Sequence, residues 1–290
     1  MQVQSSGEMQ AAIDYTAYRR PGGLIAYQSG DSIGLLDSQT GETVGELLVT
    51  SGASGSQLRW SPDGSEVAYN EFGQRIRAVE IDGGDSRTIV ELADFSLGDP
   101  DYSILDRSFS WSSDGEIILS ARLIAVLHAQ GPYLLWRVTP PSRSPEELEL
   151  ERFILAMHPD WSPDGGRIVF NGNPNWESAS SPADGMKLHI ANSDGSGLIN
   201  LELEGFAPAW SPMGDRIAYG DGENVLIFTI DEEGEIGEPV VLEEGKNPVW
   251  SSDGRWIVFS RDGSLRIRSS QPEAASSQVF GSGESAAWQP

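Results

Sequence analysis

The stretch DWSPDGGRIVFNGN, residues 160–173, places a tryptophan before a Ser-Pro-Asp-Gly segment and an apolar run directly after it. A type I turn favours Ser at its first position, Pro at its second and Gly at its fourth, where a positive φ is often needed. Because a polar residue suits the third position, Asp164 needs no role as a catalytic acid or metal ligand. The stretch therefore predicts a hairpin corner between two strands.

Four further copies of this pattern give the chain an internal repeat. They are LRWSPDGSEVAYN (58–70), FSWSSDGEIILSA (109–121), AWSPMGDRIAYGD (209–221) and VWSSDGRWIVFSR (249–261), and a truncated copy, AAWQP, follows at 286–290. The repeat tryptophans are Trp60, Trp111, Trp161, Trp210, Trp250 and Trp288. The last two intervals between them, 40 and 38 residues, are close to the roughly 40–45 residues of a four-stranded propeller blade.

The repeated residues are predicted to be structural. Asp63, Asp114, Asp164 and Asp253 occupy the third turn position, but Met213 stands there in the fourth copy. Chemistry that required a carboxylate at every corner would not tolerate that methionine, so these aspartates are predicted to brace hairpin corners. The repeat tryptophans are predicted to be wedges between neighbouring blades, each burying much of its roughly 150–250 Å².

The intervals between tryptophans read as short strands separated by turns, with no convincing amphipathic helix. The sequence therefore predicts an all-β fold, a six-bladed β-propeller of four-stranded antiparallel blades at residues 21–290, preceded by an N-terminal tail or linker at 1–20. The first blade lacks a tryptophan strand in front of it, and the last tryptophan strand, at 285–288, lacks a blade after it. The C-terminal strand is therefore expected to complete the N-terminal blade and close the ring.

The repeat resembles the W-S-P-D-G-x-x-[IV]-x-[FY] pattern of the TolB-type, WD-like propellers of bacteria, and the resemblance covers about residues 21–290. It implies a bacterial propeller but no single function, because one fold hosts many roles. The N-terminal α/β domain of the TolB family has no counterpart in this sequence, so a TolB role in the cell envelope is not implied. Similar repeats gate prolyl-oligopeptidase-like peptidases, but the sequence has no G-x-S-x-G nucleophile elbow.

Charge and composition restrict the partners. The chain of 290 residues carries a formal net charge of -25, and this acidity excludes a nucleic-acid partner, which needs a basic footprint. No stretch approaches about 18 consecutive apolar residues, so membrane insertion is not expected. The protein is expected to be cytoplasmic, or periplasmic or otherwise extracytoplasmic if a signal or anchor has been removed. Arg266 and Arg268 alternate along one predicted strand and are expected to form a solvated stripe.

Three inserts lengthen the first tryptophan intervals, at residues 93–107, 122–133 and 173–186. In a four-stranded blade, the loops after the second and fourth strands share the face opposite to the Ser-Pro-Asp-Gly turns. The inserts are therefore expected to form a loop-rich face over blades two to four, where binding usually resides. The predicted partner-binding residues are Asp99, Asp101, Tyr102, His128, Tyr133, Asn173, Asn175 and Trp176.

No metal site or other cofactor is predicted. The three histidines, His128, His158 and His189, show no ligand spacing for zinc, and no cysteine is present. Oxygen ligands suited to Ca²⁺ occur in the first insert at Asp99, Asp101 and Asp106, but this spacing lacks the glycine and closing glutamate of an EF-hand. A solvated acidic loop is the preferred interpretation, with calcium as the alternative.

The preferred functional hypothesis is a non-catalytic scaffold, monomeric, that binds another protein or a peptide on the loop-rich face or in the central channel. No nucleophile with a neighbouring base, phosphate loop or dinucleotide fingerprint is visible, so no enzyme activity is predicted. One alternative is a metal-dependent hydrolase or lactonase-like propeller enzyme with its metal in the channel. Another is a sensor domain excised from a larger envelope or signalling protein.

Overall fold

The regular elements of the protein are β-strands. A computed structural model describes residues 22–30, 32–47, 57–71, 75–82, 86–91, 102–125, 133–140, 146–150, 155–174, 185–283 and 285–290. These segments contain strands joined by turns and no helix, which confirms the predicted all-β class. None of them includes a helix that is long and apolar enough to cross a membrane.

The described strands form six four-stranded antiparallel sheets, which we number 1 to 6 in chain order. Sheet 1 contains β1 (Leu24–Ser29), β2 (Ser32–Asp37), β3 (Thr43–Leu47) and β24 (Ala286–Trp288). Sheet 2 contains β4 (Leu58–Trp60), β5 (Glu66–Glu71), β6 (Arg75–Glu80) and β7 (Arg87–Glu91). Sheet 3 contains β8 (Tyr102–Trp111), β9 (Ile117–Ala125), β10 (Tyr133–Val138) and β11 (Glu146–Glu147).

The other three sheets repeat the same up-and-down order. Sheet 4 contains β12 (Ala156–Trp161), β13 (Arg167–Gly172), β14 (Lys187–Asn192) and β15 (Ile199–Glu204). Sheet 5 contains β16 (Phe206–Trp210), β17 (Arg216–Gly220), β18 (Asn224–Thr229) and β19 (Val240–Glu244). Sheet 6 contains β20 (Lys246–Trp250), β21 (Trp256–Arg261), β22 (Ser264–Ser269) and β23 (Gln278–Ser282).

Strand β24 lies at the edge of sheet 1, where it pairs with β1 in the register Ile25 to Trp288. We use the term inner strands for the six strands that end in a repeat tryptophan, namely β24, β4, β8, β12, β16 and β20. Each inner strand contacts the next in this order, and β20 contacts β24. The arrangement of sheets around their inner strands is that of a propeller.

The Ser-Pro-Asp-Gly segments form the predicted tight turns. In the first copy, the N–H of Gly64 donates to the carbonyl of Ser61 at 2.9 Å, and Gly64 has a φ of +70°. Oδ1 of Asp63 accepts from the hydroxyls of Ser61 and Ser65, both at 2.7 Å, and from the N–H of Ser65 at 3.1 Å. These bonds, that from the Ser61 hydroxyl first, lower the pKa of Asp63 to about 2.

The same corner recurs in the other copies. Asp114, Asp164 and Asp253 each accept a hydrogen bond from the hydroxyl of the serine two positions earlier. In the copy with Met213, Asp215 takes over this role and accepts from the Ser211 hydroxyl at 2.8 Å. The predicted function of the repeat aspartates as braces of hairpin corners is therefore confirmed, and it explains how one copy can dispense with the third-position carboxylate.

The hydrophobic core is divided among the junctions between sheets. Trp210, for example, packs in one cluster with Val169 of sheet 4 and Ile217 of sheet 5. Each repeat tryptophan belongs to, or packs against, a cluster that combines residues of two neighbouring sheets. This is the arrangement expected of a wedge, and replacing such a tryptophan with alanine typically costs about 3–5 kcal/mol.

The predicted stripe of solvated arginines is wrong. Arg268 is only 4% exposed, and its guanidinium donates to the carbonyl of Leu242 on β19 of the neighbouring sheet. The same side chain lies 3.7 Å from Oε2 of Glu243, while Arg266 donates to the hydroxyl of Ser277 at 2.7 Å. The edge of sheet 5 thus supplies acceptors for the Arg268 guanidinium, and this side chain is buried instead of solvated.

Candidate functional site

The inner strands surround a cavity of about 540 Å³. Its mouth lies on the side of the Ser-Pro-Asp-Gly turns, since Pro62, Pro163 and Pro212 line it together with the repeat tryptophans. Residues that precede those tryptophans on the inner strands form the remaining wall. They include Gln57, Arg59, His158, Asp160, Ala207 and Asn247. Serines of the same turns, such as Ser61 and Ser211, also line the mouth, so the cavity combines tryptophans and prolines with polar groups at its mouth and on its wall.

Asp160 is a polar group of this wall that is bonded to two neighbouring inner strands. Its Oδ1 accepts from the hydroxyl of Ser110 on β8 at 2.9 Å, and its Oδ2 accepts from the N–H of Trp210 on β16 at 2.9 Å. Burial raises the pKa of the Asp160 carboxyl, while Arg59 and these two hydrogen bonds act in the opposite direction. One carboxylate on β12 thereby links three consecutive inner strands.

Arg59 lies in the wall across from this carboxylate. Its Nη2 is 3.7 Å from Oδ1 of Asp160, and its Nη1 donates to the carbonyl of Leu58 at 3.1 Å. The side chains of Arg59 and Asp160 are 18% and 17% exposed, respectively. Burial lowers the pKa of Arg59, and Asp160 opposes that effect. The guanidinium still carries its charge at neutral pH.

His158 is held beside this pair by hydrogen bonds at both its backbone and its ring. Its N–H donates to the hydroxyl of Ser108 at 3.1 Å, and its Nδ1 lies 2.9 Å from Oδ1 of Asn171. Burial lowers the pKa of His158 and Arg59 lowers it further, whereas the hydrogen bond with Asn171 raises it. The imidazole is therefore neutral at pH 7, which leaves Arg59 as the cation of the described cavity wall.

Three consecutive inner strands contain the same irregularity. The register shifts between Met157 and Asp160 in β12, and at the equivalent places in β16 and β20. The residue within each shift has a positive φ and precedes a proline, as in His158 (+50°), Ala207 (+47°) and Asn247 (+55°). Proline has no N–H to donate to the strand ladder, so a bulge is the expected local structure. The bulges bring all three positive-φ residues to the cavity.

The predicted loop-rich face falls mainly outside the described residues. Asp99, Asp101, His128, Asn175 and Trp176 lie in that part of the chain, and Asp106 lies on β8, where only the backbone is described. Tyr102 begins β8 and Tyr133 begins β10. Asn173 follows β13 and is buried, with 4% of its area exposed, which is unlike an exposed contact residue. The proposed partner-binding role of this face stays a prediction.

The structure instead brings together residues that the sequence analysis did not single out, above all Arg59 and Asp160. A signal for them exists, because the residue directly before the repeat tryptophan is charged in only these two copies. In the described segments, no three His, Asp or Glu side chains are grouped so that they could hold a metal ion. The absence of a cofactor therefore stays a prediction.

No protein-family model and no curated protein matches the chain. Solved structures resemble it in fold. TolB from Acinetobacter baumannii gives a TM-score of 0.66 at 17% sequence identity, covering 93% of this chain and 68% of that protein. A putative TolB from Agrobacterium tumefaciens gives 0.65 at 15% identity, covering 93% of this chain and 95% of its own.

Two further structures show how widely the fold is shared. A chain of a nidogen/laminin complex gives a TM-score of 0.66 at 11% identity, covering 91% of this chain and 97% of its own. An oligogalacturonate lyase in complex with manganese gives 0.59 at 14% identity, covering 87% of this chain and 70% of its own. At such identities the likeness shows the fold alone, which is that of a β-propeller similar in structure to TolB.

Proposed function

We propose that the chain is a non-catalytic scaffold that binds a segment of another protein in the cavity between its inner strands. The observation that carries this proposal is the cavity itself, about 540 Å³ in volume, with tryptophans and prolines at its mouth and a few polar groups on its wall. Sites of this size and composition typically hold a ligand with apolar contacts and fix its orientation with a few polar groups.

The described wall favours binding over chemistry. Asp160 is held by hydrogen bonds from Ser110 and Trp210, so both of its oxygens serve the structure of the junctions. One solved structure of similar fold is a nidogen/laminin complex, and this likeness supports the proposal of a protein partner in general. The loop-rich face predicted from the sequence is the second location to be tested for the same function.

The proposal includes a closed ring of six blades. Sheet 1 takes its fourth strand from residues 286–288, and the inner strands contact one another in succession from β24 back to β24. A ring closed in this way leaves only short outer edges. It would hold the wall of the cavity rigid while a partner binds.

Affinity capture with three variants tests the location of binding. Ser252→Trp places a bulky side chain at the exposed second position of a turn that lines the mouth. Val279→Trp is its matched control, because Val279 is 65% exposed on the outer strand β23, away from the cavity. The third variant shortens the segment 175–184 of the loop-rich face.

A partner that Ser252→Trp loses and both other variants retain would support the cavity. A partner lost only by the shortened variant would move the site to the loop-rich face. Retention by all three variants, with partner identity established by mass spectrometry, would contradict both locations.

A metal-dependent enzyme is the second candidate, supported by the fold likeness to an oligogalacturonate lyase that was solved with manganese. In this hypothesis the ligands would come from the channel or from the insert aspartates. Elemental analysis of protein purified without chelator provides the test. A stoichiometric divalent ion whose removal lowers the melting temperature would favour the enzyme, and metal-free protein of unchanged stability would count against it.

A further inference from the structure

We propose that the cavity recognises a carboxylate and that Arg59 is the residue that binds it. This inference rests on the proposed function, because it specifies the chemistry of the segment that enters the cavity. The carboxylate has two sources in a peptide, namely a C-terminal residue and the side chain of Asp or Glu.

Arg59 has the hydrogen-bonding capacity for such a ligand. A guanidinium has five N–H donors in a planar fork that matches a carboxylate. Within the described part of the chain, Arg59 uses one of them, from Nη1 to the carbonyl of Leu58. Its contact with Asp160, at 3.7 Å from Nη2 to Oδ1, is longer than a hydrogen bond. As far as the described residues go, most of the fork is therefore available to a ligand in the cavity that this residue lines.

Asp160 does not fill that role because its own hydrogen bonds hold the carboxylate too far from the guanidinium for a hydrogen bond. Oδ1 is held by Ser110 and Oδ2 by the N–H of Trp210, each at 2.9 Å. Moving the carboxylate toward Arg59 would break these links between the inner strands. The arginine is consequently paired in charge but not in hydrogen bonds, and a mostly buried guanidinium gains from each further acceptor.

The charge of the wall also restricts the ligand class. The described residues that line the cavity contain one cation, Arg59, and one acidic side chain, Asp160, while His158 is neutral at pH 7. Any anion bound to Arg59 is near Asp160, and a carboxylate with its single negative charge is repelled less by that residue than a doubly charged phosphate would be. Pro208, Pro248 and Val249 line the same cavity and offer apolar contact to the rest of a peptide.

Four short peptides test the proposal on the full chain. They are N-acetyl-Ala-Pro-Ala with a free C-terminus, and N-acetyl-Ala-Pro-Glu, N-acetyl-Ala-Pro-Gln and N-acetyl-Ala-Pro-Lys as C-terminal amides. Binding is followed by NMR through the indole N–H signals of the tryptophans at the cavity mouth. We expect one or both carboxylate peptides to bind about tenfold more tightly than the glutamine peptide, since hydrogen bonds to charged groups exceed neutral ones. The first two peptides distinguish the two sources of the carboxylate.

Three substitutions test whether the preference depends on Arg59. Arg59→Gln should abolish it, and Arg59→Lys should restore part of it because the charge returns without the planar fork. Asp160→Asn should strengthen binding of the carboxylate peptides because it removes a nearby negative charge. Circular dichroism and thermal unfolding establish that each variant is folded. If Arg59→Gln fails to fold, the response of Asp160→Asn still decides the outcome.

The outcomes separate this inference from the function on which it rests. Equal binding of all four peptides, or tightest binding of the lysine peptide, would overturn the carboxylate preference and leave the cavity as a peptide site. Weaker carboxylate binding by Asp160→Asn would also overturn it. Signals that do not shift with any peptide at millimolar concentration would overturn the cavity as a peptide site, and the preference with it.

Discussion

The inner strands are linked in one way between sheets 3 and 5 and in another way at the junctions of sheets 5 with 6 and 1 with 2. In the first region, polar side chains connect the strands: Ser110 bonds to Asp160, and Asp160 accepts from the backbone N–H of Trp210. In the second region, an indole makes the link, with Nε1 of Trp250 donating to the carbonyl of Ala209 at 3.0 Å. Trp60 donates to Ala287 in the same way, also at 3.0 Å.

The residue that precedes the tryptophan in the neighbouring sheet accounts for this difference. Where it is alanine, as in Ala209 and Ala287, the indole reaches the backbone carbonyl. Where it is larger, as in Asp160, the indole Nε1 of the next tryptophan has no acceptor among the described residues. At these junctions, the residue before the tryptophan thus goes together with the kind of link, a polar side chain at Asp160 and the indole itself at Ala209 and Ala287.

Removing Asp160 should give the largest effect and break the polar region of the ring. Asp160→Ala leaves the N–H of Trp210 and the hydroxyl of Ser110 without their acceptor and Arg59 without its charge partner. We expect the free energy of unfolding to fall by about 3 kcal/mol. Urea unfolding at pH 7 provides the measurement, and Ala209→Ser at the matching position of sheet 5 is the control. An equal loss in the control would contradict the difference between the regions.

Acidification should also lower the stability of the region between sheets 3 and 5, because both described histidines lie in sheet 4. Burial lowers the pKa of His189 to about 4, and this side chain is 1% exposed and stacked on Phe170. The unfolded chain takes up a proton near pH 6.5 while the folded protein does not. The contribution of His189 to stability is therefore fully present above pH 6.5. It is lost as the pH drops toward 4, which lowers the free energy of unfolding by on the order of 3 kcal/mol.

The substitution His189→Gln assigns this pH dependence. Unfolding free energies of the variant should change less between pH 7 and pH 4 than those of the parent protein. A residual slope is expected because burial also lowers the pKa of His158. An unchanged slope in the variant would show that His189 takes up its proton as readily in the folded protein as in the unfolded chain.

The indole links can be measured with a matched pair of tryptophans. Trp250→Phe removes the hydrogen bond to Ala209, whereas Trp210→Phe removes an indole N–H that has no acceptor in the described segments. An arginine lies over each ring, at 4.8 Å for Arg216 on Trp250 and 5.0 Å for Arg167 on Trp210. We expect Trp250→Phe to cost about 1 kcal/mol more than Trp210→Phe. Equal costs in chemical denaturation would mean that the link to Ala209 contributes nothing.

The smallest effect is expected at the turns, which both regions share. The pKa of Asp63 is lowered to about 2 by the hydroxyls of Ser61 and Ser65 and the N–H of Ser65. Its carboxylate stabilises the fold above its ordinary pKa near 3.8, and that contribution is lost as the pH falls through about 2. Asp63→Asn should lower the melting temperature slightly at pH 7, and the difference from the parent should narrow below pH 4.

Asp164→Asn is the matched change in the region between sheets 3 and 5, since Asp164 accepts from the Ser162 hydroxyl in the same kind of corner. The two substitutions should lower the melting temperature at pH 7 by similar amounts. A large decrease in melting temperature for only one of them would mean that the corners contribute unequally to stability.

The residues of the turns allowed the fold to be predicted from the sequence. The positive φ of Gly64 and the serine hydroxyl bonded to Asp63 are local features, and a five-residue segment is enough to specify them. The bulges also have a local signal, because a residue followed by proline recurs at the same place before three consecutive repeat tryptophans. That signal lies outside the tryptophan-turn motif from which the fold is predicted.

The contacts between neighbouring sheets could not be predicted from the sequence in the same way. Arg268 looked like a surface residue because β19, which buries it, is a different strand more than 20 residues away in sequence. Arg59 and Asp160 are separated by a whole sheet in sequence and meet only because the inner strands converge. The periodicity of a strand sequence shows which face of the strand is buried. It does not show which residues of a neighbouring sheet pack against that face.

Pairing of β1 with β24 has a consequence for the order of events during synthesis. The bond from the N–H of Leu24 to Gln289 joins residues 265 positions apart, so sheet 1 remains incomplete until β24 has left the ribosome. Contacts of such long range slow folding, because their loop-closure entropy is lost before they stabilise anything. Until then, the free edge of β1 is exposed to other chains, and this edge is where misassembly of a nascent chain would begin.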